Sequence, residues 1–156
     1  MQKITPFLWF DTQAREAAKF YTTVFKDSSI KSPVELNDTP SGNVEVITIE
    51  LFGQEFTLMS AGPEFKFNEA ISFVINCKDQ EEVDYYWEQL TSDGGEESQC
   101  GWLKDKFGVS WQVVPHQLNE LLSDPNPKKA QAAMKEMLRM KKMVISELEQ
   151  AADQAS

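Results

Sequence analysis

Residues 99–115, "QCGWLKDKFGVSWQVVP", hold most of the side chains in this chain that could do chemistry. A cysteine, two tryptophans and a glycine turn surround Gln112, which stands in the middle of an apolar run. A buried glutamine without a partner costs about 1–3 kcal/mol, so Gln112 must bond a metal, a ligand or another core group. Strand alternation places Ser110, Gln112 and Val114 on one face and Trp111 and Val113 on the other. Lys104 and Asp105, just before the turn, read as solvated charges or at most a local ion pair.

Other reactive groups are sparse. His116 is the single histidine and follows Pro115 in a strand-to-helix linker, which reads as a surface or capping position rather than a base. It has no aspartate partner in a matching motif, so Ser-His-Asp hydrolysis is not indicated. Cys77 and Cys100 form no CxxC and meet no histidine cluster, a poor basis for zinc. Cys77 ends an apolar strand and reads as a small core residue. The seven glycines mark hairpins and turns, and there is no GxGxxG. A glycine-rich nucleotide turn on a doubly wound sheet, the common solution for S-adenosylmethionine, is therefore not expected.

The net charge is −10, and residues from Pro127 onward carry +2, so the acid sits in the body of the chain. An acidic body disfavours nucleic acid, which needs a basic footprint. Lys135, Arg139, Lys141 and Lys142 read as the solvated face of a helix. No apolar run reaches the roughly 18 residues of a membrane span, and the N-terminus lacks a signal-peptide layout, so no membrane role and a cytoplasmic location with reduced thiols are expected.

The elements that must position these residues follow in order. Residues 4–11 read as a strand, and Asp11 and Thr12 offer caps for a helix with Ala14, Ala17, Ala18, Tyr21, Val24 and Phe25 at helical spacing. "SSIKSPVEL" reads as an edge strand interrupted by Pro33. Residues 43–52 turn at Gly53-Gln54 and return as 55–60. A strand over 69–77, a D-x-x-E capping box from Asp79 to Glu82, a helix ending at Gly94-Gly95, and two strands about Lys106-Phe107-Gly108 then repeat the pattern. Offset by 66, Phe7 falls on Phe73 and Tyr21 on Trp87; offset by 55, Gly53 falls on Gly108 and Phe56 on Trp111. The chain is thus an internal βαβββ duplication. After a helical turn at 116–124, residues 128–152 read as one continuous helix with Met134, Met137, Leu138, Val144, Ile145 and Leu148 on one side, for core or dimer packing.

Two βαβββ modules with "ITPFLWFDTQAREAAKFY", "GPEFKFNEAISFVINCKDQEEVDYYWEQL", "CGWLKDKFGVSWQVVP" and "MLRMKKMVISELEQA" resemble the PhnB-like, 3-demethylubiquinone-9 3-methyltransferase-like family of the glyoxalase/bleomycin-resistance (vicinal oxygen chelate) superfamily. The resemblance implies an α+β fold: one glyoxalase-like domain over 1–116, built of modules at about 1–62 and 66–116, plus a helical extension at 117–156. It implies two curved sheets, each cupping a cavity, and a homodimer. Catalytic members of the superfamily hold a divalent metal in the cup. Carried over, the ligand position four residues after the hairpin glycine is Gln112. The other positions fall near Ala70 or Ser72, near Ile4 or Thr5, and on Thr57. One good donor in four does not hold a metal. The resemblance places Gln112 inside the cup, with Trp9, Trp102, Met59 and Thr57 as lining candidates. The expectation is a small organic ligand bound without a full metal site and with no cofactor. The alternatives are a metal-dependent lyase, isomerase or dioxygenase, the inherited methyltransferase activity, or a structural dimer with no ligand. Whether the cup catalyses anything is left open.

Overall fold

A computed structural model describes residues 1–155. The chain divides into two compact units, Met1–Phe67 and Asn68–Ser156.

In the first unit β1 (Phe7–Phe10) leads into α1 (Ala14–Val24), followed by β2 (Ser28–Ile30), β3 (Val34–Thr39), β4 (Gly42–Leu51) and β5 (Gln54–Ser60). Ala14, Ala17, Ala18, Tyr21 and Val24 make one buried stripe, and its three alanines let α1 lie close on the sheet. That stripe covers Ile47, Ile49, Leu51, Phe56 and Leu58, all buried. The helix begins later than the sequence suggests. Its cap position is Gln13, which offers no side-chain bond, while the Ser60 hydroxyl accepts from Ala14 N–H at 3.0 Å. A residue from the sheet thus substitutes for Asp11 and Thr12. The strand order is β1-β5-β4-β2, with β3 also on β4, and β1 runs parallel to β5. Pro33 separates β2 from β3, which follow one another along the same edge of β4. The β4–β5 turn is Phe52-Gly53, one residue earlier than read. Both residues have positive φ, 51° and 80°, as a two-residue primed hairpin turn requires.

The second unit has β6 (Ser72–Cys77), α2 (Gln80–Thr91), a single 3-10 turn at Ser92–Gly94, β7 (Glu96–Glu97), β8 (Trp102–Lys104), β9 (Ser110–Pro115), α3 (His116–Leu122), α4 (Pro127–Met137) and α5 (Ile145–Gln154). The sheet order is β6-β9-β8-β7, with β6 parallel to β9. The capping box forms: Asp79 accepts from Glu82 N–H at 2.9 Å, and Glu82 Oε2 accepts from Lys78 N–H at 2.8 Å. Val83, Trp87 and Leu90 of α2 are buried on the face that also holds Leu103, Trp111 and Val113.

The duplication is present, with one slip. Ala17, Tyr21 and Val24 match Val83, Trp87 and Leu90 in burial at an offset of 66, as read. In the strands, Phe7 opposes Thr57 whereas Val74 opposes Gln112, so the equivalent of Phe7 is Val74 and the strand offset is 67. Exposure agrees, since Phe7 and Val74 are both exposed while Phe10 and Cys77 are both buried. One residue separates the strand register from the helix register, and in a strand one residue exchanges the two faces.

The extension also differs from the sequence reading. Residues 128–152 are not one helix, because the chain breaks between Met137 and Ile145. Cys100 N–H donates to Met140 O and Gly101 N–H to Lys141 O, each at 2.8 Å. Gln80 Nε2 donates to Met143 O at 2.9 Å, and its Oε1 accepts from Ile145 N–H at 2.8 Å. Met140 and Met143 are buried. Apolar spacing through this stretch imitates a helix, but its carbonyls are bonded to neighbours distant in sequence.

Candidate functional site

In each unit the helices take one face of the sheet, and the opposite face carries the residues of interest. On the first unit Trp9, Met59 and Val46 form one row across β1, β5 and β4, and Phe7, Thr57 and Thr48 form the next. Trp9, Met59 and Thr57 are half-buried, and Phe7 is exposed. Trp9 Nε1 donates to Gly62 O at 2.9 Å, and its ring meets Phe65 edge-on at 5.0 Å. Both contacts fix the indole and leave the row apolar. A shallow groove elsewhere on this unit, lined by Asp11, Thr12, Asn43, Glu45 and Ser60, contains none of the three residues read from the sequence. Arg15 and Glu45 form an ion pair beside it at 2.5 Å, which holds the Glu45 carboxyl below its ordinary range.

On the second unit Val74, Gln112 and Trp102 lie in one row across β6, β9 and β8, and Ser72, Ser110 and Lys104 lie in the next. Gln112 is half-buried, and its Nε2 donates diagonally to Ser72 Oγ at 2.9 Å. The polar residue in the apolar strand is therefore answered by a serine on the neighbouring strand. Trp102, Lys104 and Ser110 line a concavity of about 150 Å³ together with Glu69, Glu96 and Glu97. Lys104 pairs with Glu69; that hydrogen bond raises the lysine's pKa and lowers the glutamate's. Trp87 Nε1 donates to Glu97 Oε1 at 2.6 Å. Ser110 is buried, and its hydroxyl has no hydrogen-bond partner in the protein.

The five candidates thus form two groups, Trp9, Met59 and Thr57 on one sheet and Trp102 and Gln112 on the other. Lys104, Glu69, Glu96 and Ser110 were not among them. Ser110 shares the alternation face of Gln112 and was legible to that extent; Glu69 lies before its strand, and nothing local announces it.

Asp105 is not a solvated charge. It is buried; its Oδ1 accepts from Phe107 N–H at 2.9 Å and Val109 N–H at 3.0 Å, and its Oδ2 accepts from Trp111 Nε1 at 2.9 Å. The carboxylate closes the β8–β9 turn and anchors Trp111 on the helix side, so its role is to fix the strand that presents Ser110 and Gln112. Lys104 turns the other way, to Glu69, so the two neighbours do not pair. His116 opens α3 and is exposed, with Nδ1 3.2 Å from Glu120 Oε1. Cys77 is buried, which pushes its thiol up to about 12.

The donors do not fit a divalent cation. Gln112 keeps its amide oxygen, but the other carried-over positions offer at best the neutral hydroxyls of Ser72, Thr5 and Thr57, and among the described residues no group of three or more His, Cys, Asp or Glu could hold a metal. The glycines present no nucleotide turn either: Gly53 and Gly108 sit in hairpins, and Gly101 takes part in the clamp on the extension.

A family model described as 3-demethylubiquinone-9 3-methyltransferase matches residues 2–114, ending before α3. Among solved structures, the chain is similar to a PhnB protein from Bacillus cereus at 33% identity and a TM-score of 0.64, over 73% of this chain and 99% of that one. A protein from Pseudomonas aeruginosa follows at 19% identity and a TM-score of 0.58, over 74% and 98%. The fosfomycin resistance protein FosX from Listeria monocytogenes, solved with Mn(II) and dihydroxypropylphosphonic acid, shares the fold at 13% identity and a TM-score of 0.53, over 73% and 92%. No curated protein matches. The chain belongs to the PhnB-like, 3-demethylubiquinone-9 3-methyltransferase family, on the glyoxalase/bleomycin-resistance fold.

Proposed function

We propose that this PhnB-like protein binds a small, partly apolar organic molecule on the helix-free sheet faces, without a resident metal. On the second unit Trp102 and Gln112 are the candidate contacts, and on the first unit, taken by itself, they are Trp9, Met59 and Thr57. The observation that carries the reading is the Gln112–Ser72 hydrogen bond. It joins two of the four positions at which the resemblance looks for metal ligands, those of the second module, beside a tryptophan that the helices leave uncovered. A half-buried indole next to an amide suits a flat ligand with one or two polar atoms.

A thermal-shift screen against aromatic metabolites, quinones and S-adenosylmethionine, with elemental analysis of the same protein, tests this. A saturable rise in Tm with an aromatic or quinone, lost in Trp102→Ala, is expected. Stoichiometric zinc, nickel, iron or manganese would overturn the metal-free reading. Saturable S-adenosylmethionine binding would favour the methyltransferase that the family description names.

The reading includes a homodimer in the cytoplasm. Met134 and Leu138 are exposed, at 43% and 57%, and give an apolar surface for a second copy. Met134→Lys with Leu138→Lys should shift gel filtration to the monomer; an unchanged elution would remove this surface from the interface. Among the described residues no helix is long and apolar enough to cross a membrane.

A further inference from the structure

The concavity on the second unit carries more than a general preference for small molecules. Its charged lining consists of Glu69, Glu96, Glu97 and Lys104, three carboxylates against one ammonium. Lys104 is hydrogen-bonded to Glu69 and stands opposite Glu96 in the strand register, while Glu97, opposite Leu103, turns to the helix side and receives the indole N–H of Trp87. The cavity therefore keeps a surplus of negative charge, which repels an anionic group and attracts a cation. Beside the carboxylates Ser110, 2% exposed, offers a hydroxyl oxygen with no partner in the protein. It faces the same side as Lys104, its register partner, and so looks into the cavity. A hydroxyl in that state wants an N–H or O–H from whatever fills the space. Trp102 adds an aromatic wall, which favours a desolvated organic ammonium over a hydrated inorganic ion.

We propose that this cavity binds the primary ammonium group of a small organic cation, its charge against Glu96, one N–H on Ser110 Oγ and its carbon stem along Trp102. The proposal rests on the ligand-binding reading above and names the class of ligand. A volume of about 150 Å³ equals roughly five water volumes, room for the head and short carbon stem of an alkylammonium. A quaternary ammonium would satisfy the carboxylate yet bring no N–H to Ser110. A divalent metal is disfavoured because no three carboxylates converge on one point among the described residues.

The test is a proton–nitrogen correlation NMR titration of the full chain with n-butylammonium, with butyrate and tetramethylammonium as controls. Saturable shifts centred on the Trp102 indole and the Ser110 amide are expected with n-butylammonium, and none with butyrate. Glu96→Gln should weaken binding by about fivefold, the size of one exposed charge contact near 1 kcal/mol. Ser110→Ala, which removes an unpaired hydroxyl and leaves the fold intact, should erase the preference for n-butylammonium over tetramethylammonium. Saturation by butyrate at these residues, unsaturable n-butylammonium shifts, or unchanged affinity in both variants would each overturn the proposal. If a neutral aromatic still raises Tm while n-butylammonium does not bind, the cation assignment fails and the ligand-binding reading stands; if neither binds, both fail.

Discussion

Gln112 Nε2 donates to Ser72 Oγ at 2.9 Å across the parallel pair β6–β9. The bond ties the two strands together on the face that carries Trp102. It also decides what Gln112 is for: with its N–H₂ held by serine, the amide oxygen is the atom left to meet a ligand.

The pair should behave as a unit. Gln112→Ala and Ser72→Ala are each expected to cost about 1 kcal/mol, and the double variant less than the sum by about 0.5 kcal/mol or more. Urea denaturation of the four proteins gives the coupling directly. Strict additivity would mean that the two side chains act independently.

Cys77 sets a pH limit on stability. Burial raises its thiol from 9.0 to about 12 in the folded chain, so between these values the unfolded state loses a proton that the folded state keeps. The unfolded state then binds fewer protons, and stability falls as pH rises through that window. The contribution is fully present below about pH 9. Cys77→Ala should flatten the alkaline limb of a stability profile measured from pH 8 to 11. An unchanged limb would show that another group controls it. A matching kinetic sign is slow alkylation of Cys77 in the native chain at pH 8, against rapid alkylation in urea.

The duplication was legible because it rests on strong local signals: the apolar stripe of Ala14, Ala17, Ala18 and Tyr21, the Asp79–Glu82 box, and hairpin glycines at 53 and 108. What escaped was set by partners far away in sequence. Ser60 caps α1 from the sheet, so the start of that helix could not be placed from Asp11 and Thr12. The spacing of Met134, Met137 and Leu138 continues to Val144, yet Cys100 and Gly101 hold residues 140 and 141 out of any helix. Asp105 looked like a turn charge, and three donors, two of them in its own turn, turn it into a buried anchor. Of the candidate site, the face of Gln112 followed from alternation, whereas its partner Ser72 lies 40 residues earlier.

The Cys100-Gly101 pair makes the most exacting demand in the chain. Both residues have positive φ, 57° and 81°, and both N–H groups feed carbonyls of the 140–141 segment. A Cβ on Gly101 would lie 2.8 Å from Val113 O and 3.2 Å from Met143 Cε. The methionine tip can swing aside; the strand carbonyl cannot move without disturbing β9, and it lies next to Gln112. Gly101→Ala therefore combines an unfavourable left-handed backbone with a backbone clash, and should cost about 1–3 kcal/mol. Because the same residue clamps the extension, hydrogen exchange should quicken at residues 140–145 before the rest of the second unit loosens. Gly108→Ala makes the comparison: its φ is 88°, but nothing lies within 4 Å of the new Cβ, so it carries the backbone strain alone. Equal losses for the two variants would show that backbone strain is the whole effect at position 101. A larger loss at Gly101, with fast exchange confined to 140–145, would show that this glycine holds the helical extension on the sheet.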